Sequence, residues 1–85
     1  MTKLDKAKER LRAVPKDYTY SEAKYLLGQL GFLELNKGKT SGSRVKFFRA
    51  SDNEFILMHK PHPKDIMVIQ SVRDLANFLR ELGDL

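Results

Sequence analysis

Two segments of the chain carry the residue types that bind and cleave phosphate esters. The first runs from Lys37 to Arg44 and contains two glycines, three hydroxyl side chains and three cations. Glycines let a backbone turn tightly and present N–H groups to an anion, while cations and hydroxyls add charge and donors. This composition predicts a phosphate-binding surface that extends into the strand and the second segment that follow. The predicted contacts are Lys37, Lys39, Ser41, Ser43, Arg44, Lys46, Arg49, Lys60 and Lys64.

The second segment, from Met58 to Lys64, holds both histidines of the chain. Metal-free cleavage of RNA needs a base for the 2′-hydroxyl, an acid for the leaving oxygen and cations for the charge that develops on phosphate. An ordinary imidazole, with a pKa of about 6.5, suits both proton transfers at neutral pH. His62 and His59 are therefore the candidate catalytic residues, although His59 ends a strand and is expected to point toward the core. The alternative is that both are surface residues of a proline-rich loop.

Other chemistries are disfavoured by spacing. Gly38-Lys39-Thr40 resembles the end of a nucleotide-binding loop, but Leu33 stands where the leading glycine must be. A turn with two prolines rarely supplies three convergent metal ligands, so the histidines and Asp65 do not predict a metal site. We expect neither a metal nor another cofactor.

The positive charge is concentrated in the middle of the chain. The net charge is +5, and seven cations face two carboxylates between Lys37 and Lys64. Segments 17–36 and 65–85 each carry more carboxylates than cations. A cationic centre in an acidic frame is typical of a surface that meets polyanions, and nucleic acid is favoured over membrane. The alternative is a generic solubilising surface.

Length and composition limit the class of protein. A chain of 85 residues is one domain with a modest core. It contains no cysteine, which excludes disulfides and thiolate metal sites and fits a reducing cytosol. No apolar run approaches the ~18 residues of a membrane span, and no apolar signal segment begins the chain. We expect a soluble, cytoplasmic protein with no membrane partner.

Two helices are predicted from capping signals and apolar periodicity. Thr19 and Glu22 have capping-box spacing, and Gly31 suits a left-handed C-terminal cap, which predicts a helix over Tyr20–Leu30. Ser71, with Asp74 three residues later, predicts the start of a second helix that Gly83 ends.

Three strands are predicted between these helices. They cover residues 32–35, 45–49 and 54–59, with a hairpin turn at Ala50–Asn53. Alternation places Val45 and Phe47 on one face of the second strand, and Arg44, Lys46 and Phe48 on the other. Because aromatics on strands are more often core, Phe48 is the only aromatic predicted to contact RNA.

An additional helix is predicted before this unit. Residues 3–14 favour a helix with a narrow apolar stripe, and Pro15 is predicted to end this helix. The stripe is too thin to be stable unless it docks on the main domain or on a partner. The predicted organisation is a basic helical extension over residues 1–16 and a main domain over residues 17–85. The fold class is α+β, with two helices on one face of a three-stranded antiparallel sheet.

Four short motifs occur in order between Thr19 and Leu85. They are a capped helix ending at Leu30-Gly31-Phe32, a Gly42-Ser43 pair leading into a basic-aromatic strand, a third strand closing on Pro61-His62, and a helix ending at Leu82-Gly83. This order resembles the HicA toxins of bacterial toxin–antitoxin pairs. The resemblance implies a double-stranded-RNA-binding-like fold of order α-β-β-β-α, ribonuclease activity on messenger RNA, and neutralisation by a HicB-type antitoxin.

The chain departs from the family at one position. HicA-type toxins usually carry a catalytic histidine just after the Gly-Ser pair, and the corresponding residue here is Val45. The Pro-His arrangement of the family makes His62 the preferred catalytic candidate over His59. The predicted function is an RNA-binding toxin that cleaves messenger RNA as a metal-independent endoribonuclease. The alternatives are a non-catalytic RNA-binding module on the same fold and a protein-interaction module.

Overall fold

The protein is a small α+β domain with an antiparallel sheet. The structure is a computed structural model that describes residues 1–35, 44–61 and 63–85. Three helices and three strands lie in these ranges, and the strands pair in the order β1-β2-β3. The elements are α1 (Lys3–Arg12), α2 (Tyr20–Gln29), β1 (Leu33–Leu35), β2 (Arg44–Arg49), β3 (Glu54–His59) and α3 (Ile69–Leu82). The predicted α+β class and three-stranded antiparallel sheet are confirmed.

The predicted start of α2 is confirmed by its hydrogen bonds. The Thr19 hydroxyl accepts from the Glu22 N–H, and the Glu22 carboxylate accepts from the Thr19 N–H at 3.0 Å. The helix ends where Gly31 adopts a φ of +94°. A left-handed residue after the last turn lets the following N–H groups satisfy free helix carbonyls. The Phe32 N–H accordingly donates to the Leu27 carbonyl at 2.9 Å.

The predicted start of α3 at Ser71 is wrong. The helix begins at Ile69, with Val68 as an N-cap that makes no side-chain hydrogen bond. The residues before α3 instead pair with the residues before α2. The Met67 N–H donates to the Tyr18 carbonyl at 2.9 Å, and Ile66 forms a β-bridge with Thr19. Tertiary pairing therefore sets this boundary. The predicted end at Gly83 is confirmed, with a φ of +82°.

The hairpin between β2 and β3 has the predicted position. Residues 50–53 form the turn, and Asn53 adopts a φ of +57°. Asparagine tolerates this left-handed conformation better than most residues. Arg44 then pairs with His59, and Arg49 pairs with Glu54. The register decides which residues lie side by side on each face of the sheet.

One apolar core joins the inner face of the sheet to all three helices. Val45, Phe47 and Met58 of the sheet are buried there. Leu11 of α1 has 0% exposure within the same core. The N-terminal helix thus docks on the main domain, as its thin apolar stripe requires. The core therefore contains residues from both sides of residue 16, the predicted boundary. The helical residues in this core are Leu11, Tyr20, Ala23, Leu26, Leu27, Val72, Leu75, Ala76 and Leu79.

The N-terminal helix has caps and ion pairs of its own. Thr2 and Asp5 form a capping box that the sequence analysis did not identify. Arg10 binds the carboxylates of Glu22 and Asp17, which connects α1 to the start of α2.

No helix within the described residues is long and apolar enough to cross a membrane.

Candidate nucleic-acid interface

The outer face of the sheet, opposite the core, presents three rows of side chains. Successive side chains of a strand point to opposite faces, so the observed register assigns each residue to a face. Residues that are paired across strands lie next to one another on that face. The rows are Leu33, Phe48 and Phe55; Leu35, Lys46 and Leu57; and Arg44 and His59. We call these eight residues the outer face.

All the side chains of the first two rows except Lys46 are apolar, and several of them contact solvent. Leu33 is 67% exposed, Leu57 62% and Phe55 49%. Phe48 is partly buried between its neighbours. Contiguous exposed apolar surface of this kind marks interaction sites on soluble proteins. The outer face is therefore a candidate binding surface.

Phe55 was not among the predicted RNA contacts, but it lies on the outer face. It pairs directly with Phe48, so both aromatic rings lie on the outer face. On β3 the core positions are taken by Ile56 and Met58, which pair with Phe47 and Val45. The alternation along β3 divides its residues between the two faces of the sheet. The pairing with β2 was needed to show which of the two sets faces the core.

Lys46 lies among the aromatic side chains of the outer face. Its ammonium is 4.4 Å from the ring centroid of Phe55 and 5.9 Å from that of Phe48. These distances are within the range of cation–π attraction. No carboxylate lies within salt-bridge distance of Lys46 among the described residues. The interaction holds a positive charge at the middle of the apolar surface.

Arg44 and His59 form the third row. They are directly opposite each other on β2 and β3, and both are exposed. The expectation that His59 points toward the core is wrong, because Met58 takes the inward position and His59 the outward one. A candidate catalytic histidine and a candidate phosphate-binding cation therefore share one end of the outer face.

The outer face contains no acidic residue in the described strands. The two glutamates of the sheet, Glu34 and Glu54, pair with Phe47 and Arg49 and so lie on the inner side. Their position leaves the charge of Arg44 and Lys46 uncompensated on the outer side. Such a surface attracts an anion.

Arg49 does not belong to this surface. Its side chain is 12% exposed and binds the carboxylates of Asp52 and Asp84 at 2.6 and 2.9 Å. It also donates to the Leu30 carbonyl at 3.0 Å and lies over the Phe32 ring. These carboxylates raise the pKa of Arg49 above its ordinary value, the hydrogen bond to Asp52 being the largest cause. Arg49 therefore forms ion pairs within the domain, and its contact with RNA stays a prediction.

The remaining predicted contacts fall outside the outer face or outside the described residues. Lys64 is exposed in the segment after β3. The ammonium of Lys60 is 6.0 Å from the ring centroid of Tyr20. The predictions for Lys37, Lys39, Ser41, Ser43 and His62 lie outside the described residues.

A polar cluster beneath the sheet was not predicted. The Tyr20 hydroxyl donates to the Glu34 carboxylate, and Lys24 lies 3.2 Å from the same carboxylate. Burial and this hydrogen bond raise the pKa of Tyr20 above its ordinary value. Burial raises the pKa of Glu34, but the bonds from Tyr20 and Lys24 outweigh it and the net pKa is lowered. Because Tyr20 is only 6% exposed, the cluster joins α2 to β1 rather than offering a surface to a ligand.

A groove between α1 and α2 is a weaker candidate. It has a volume of about 490 Å³, and Tyr18, Tyr25 and Arg10 line it. The charge of Arg10 is already compensated by Glu22 and Asp17. Lys3 and Lys6 also line the groove. Unlike the outer face, the groove has a carboxylate, that of Glu22, in its lining.

Comparisons with protein-family models, with curated proteins and with solved structures found no match to this chain.

Proposed function

We propose that this protein binds RNA through the outer face of its sheet, as a HicA-like toxin. The observation that supports this most directly is the pair Arg44 and Lys46 on a surface without carboxylates, beside the Phe48–Phe55 pair. Cationic side chains neutralise phosphates, and aromatic side chains stack on nucleic-acid bases. The basic segment 37–43 precedes β2 and extends the same positive run along the chain.

The order of elements supports the finer fold assignment. After α1, the described elements follow the order α-β-β-β-α of the double-stranded-RNA-binding-like fold. In this proposal the protein partner is a HicB-type antitoxin. The antitoxin protects the cell by preventing the toxin from acting on messenger RNA.

The proposed activity is metal-independent cleavage of messenger RNA. His59 lies beside Arg44, so an imidazole and a cation can act on the same phosphate. His62 is the proposed second catalytic group. Arg44 and Lys46 would stabilise the charge that develops on phosphate in the transition state.

A non-catalytic RNA-binding module is the second candidate function. The position that corresponds to the family histidine is Val45, which is 4% exposed in the core. A side chain buried at this position cannot reach a substrate on the outer face. RNA binding with no cleavage under any condition would favour this second function.

Charge reversal tests the RNA-binding proposal. The double variant Arg44→Glu, Lys46→Glu should weaken binding of a 2′-O-methylated RNA at least about tenfold at low salt. The slope of log affinity against log salt should become shallower by about 1.4, since each lost phosphate contact removes ~0.7. The matched control is Lys16→Glu, Arg73→Glu, which changes net charge equally at two exposed sites outside the sheet.

Comparison of the two variants distinguishes RNA binding at the outer face from a general effect of net charge on RNA affinity. Only a small change is expected in the control, and circular dichroism should show both variants folded. Undiminished binding by the outer-face variant would contradict the proposal. Equal losses in both variants would also contradict it, because net charge alone would then explain the binding.

A further inference from the structure

The aromatic pair of the outer face, Phe48 and Phe55, indicates which class of ligand this surface binds. Phe48 and Phe55 are direct cross-strand partners, so their rings are adjacent on a surface that faces solvent. Directly paired side chains have Cβ atoms about 5 Å apart. Leu33 and Leu57 border this pair and are largely exposed. The combined surface therefore presents adjacent aromatic and aliphatic side chains to solvent.

The position of Lys46 limits what can cover this surface. Its ammonium lies near both rings, at the centre of the apolar rows. An apolar protein surface would bury this charge without a partner, which is costly. A second copy related by a twofold axis would place two such ammonium groups close together. The surface therefore fits a ligand that has both flat apolar groups and negative charge.

A single-stranded nucleic acid meets both requirements. Its unpaired bases have apolar faces that stack on aromatic side chains, and its phosphates carry the charge. In a duplex the base faces are covered by neighbouring base pairs, so they cannot stack on the protein. Arg44 is two residues from Lys46 along β2, a rise of about 6.6 Å that is comparable to the distance between successive phosphates of an extended strand.

We infer that the outer face binds single-stranded RNA in preference to duplex RNA, with bases stacked on Phe48 and Phe55 and phosphates bound by Lys46 and Arg44. This inference rests on the proposed RNA-binding function and specifies its substrate class. It departs from what a double-stranded-RNA-binding-like fold suggests. Lys46 leaves the aromatic rings and pairs with phosphate as the bases arrive.

Fluorescence anisotropy with two labelled probes tests the preference. The single-stranded probe is a 12-nucleotide, 2′-O-methylated RNA without self-complementarity, and the duplex probe is the same strand annealed to its complement. The 2′-O-methyl group prevents cleavage through the 2′-hydroxyl during the measurement. We expect the single strand to bind at least about tenfold more tightly than the duplex at equal salt concentration.

Aromatic substitutions test the stacking contacts. Phe48→Leu and Phe55→Leu keep an apolar side chain and should each weaken single-strand binding by roughly 5- to 100-fold. The salt dependence should not change, because no phosphate contact is lost. Phe55→Tyr keeps the ring and should retain wild-type affinity. The control is Val68→Ala, which removes exposed apolar area outside the outer face and should leave the affinity unchanged.

A tryptophan reporter gives a second, direct readout. The chain contains no tryptophan, so Phe55→Trp introduces one tryptophan on the outer face, whose emission is excited selectively at a wavelength that tyrosine does not absorb. Stacking of a base on the indole should quench its emission when the single-stranded probe is added. The quenching should follow the same binding curve as the anisotropy.

The outcomes separate this inference from the proposed function. Equal affinity for single strand and duplex, with silent phenylalanine variants and a strong effect of charge reversal at Lys46, would overturn the inference and leave RNA binding intact. Failure of the wild type to bind either probe would overturn both. Concentration-dependent dimerisation abolished by Phe55→Leu would assign the surface to a second copy and also overturn the inference.

Discussion

The guanidinium of Arg49 lies 2.9 Å from the carboxylate of Asp84 and joins the end of β2 to the C-terminal segment. The same group binds Asp52 in the hairpin turn and the Leu30 carbonyl at the end of α2. One side chain thus connects three parts of the chain. Arg44, five residues earlier on the same strand, is exposed on the opposite face. The two arginines of β2 have different roles because they face different sides of the sheet.

Arg49→Leu should reduce the free energy of unfolding by roughly 2 to 4 kcal/mol, because it leaves Asp84 and the Leu30 carbonyl without their partner. Arg44→Leu should change it by less than about 0.5 kcal/mol, because Arg44 is exposed. Urea denaturation followed by circular dichroism measures both values. Similar stabilities for the two variants would contradict the structural role of Arg49.

Thr19→Ala should cost about 1 kcal/mol of stability, because it removes the acceptor that caps α2. The matched substitution is Ser71→Ala. Ser71 has the sequence signature of a cap but lies inside α3, which begins at Ile69. Its replacement should leave the melting temperature almost unchanged. A larger loss at Ser71 than at Thr19 would mean that α3 begins later than the structure shows.

Leu11→Ala should destabilise the whole domain by about 2 to 5 kcal/mol, because Leu11 is buried in the common core. Leu79→Ala, in α3, should have an effect of the same size for the same reason. Leu57→Ala on the outer face is the control and should cost less than about 0.5 kcal/mol. If Leu11→Ala behaved like the control, α1 would be a separate appendage of the domain.

Glu22→Gln should make stability less sensitive to acid. The hydrogen bond from Arg10 lowers the pKa of Glu22 below its ordinary value of 4.5. A carboxylate with a lowered folded-state pKa stabilises the protein above about pH 4.5, and this contribution is lost as the pH falls through the folded-state pKa. The variant lacks this contribution but keeps an N3 amide that can complete the capping box.

Melting temperatures of the wild type and Glu22→Gln, measured from pH 7 to pH 3, check this prediction. The variant should be less stable at pH 7, and the two curves should converge in acid. Parallel curves over the whole range would show that the Arg10–Glu22 pair does not contribute to the acid sensitivity.

His62→Ala should abolish cleavage of messenger RNA in the presence of a metal chelator and leave RNA affinity within a few fold. The reason is that the proposed mechanism takes its acid and base from His62 and His59. The rate should have a bell-shaped pH dependence, since one group must be deprotonated and the other protonated. Cleavage is measured by end-group analysis of the fragments. Wild-type rates in the double variant His59→Ala, His62→Ala would rule out the histidine mechanism.

Local sequence was sufficient for several features that depend on residues within one turn, although it misplaced the start of α3. Thr19 and Glu22 are three residues apart and cap α2 through bonds that the chain makes with itself. Gly83 ends α3 because glycine adopts a positive φ at little cost. The alternation of β2 likewise predicted that Val45 and Phe47 are buried and that Lys46 faces outward.

Decisions that depend on distant residues required the tertiary structure. Which face of the β2–β3 hairpin packs against the helices decides whether Phe55 and His59 are buried or exposed, and the packing of the core determines that face. Arg49 and Arg44 are both basic residues of β2, but Asp84 lies far along the chain from them and only folding brings it to Arg49. Residue types and their spacing therefore determined the N-terminal cap of α2, the glycine ends of α2 and α3, the hairpin and the positive charge of this protein. The tertiary structure decided which of those charges remain free on the outer face, because an ion pair forms only where the fold brings its two partners within contact distance.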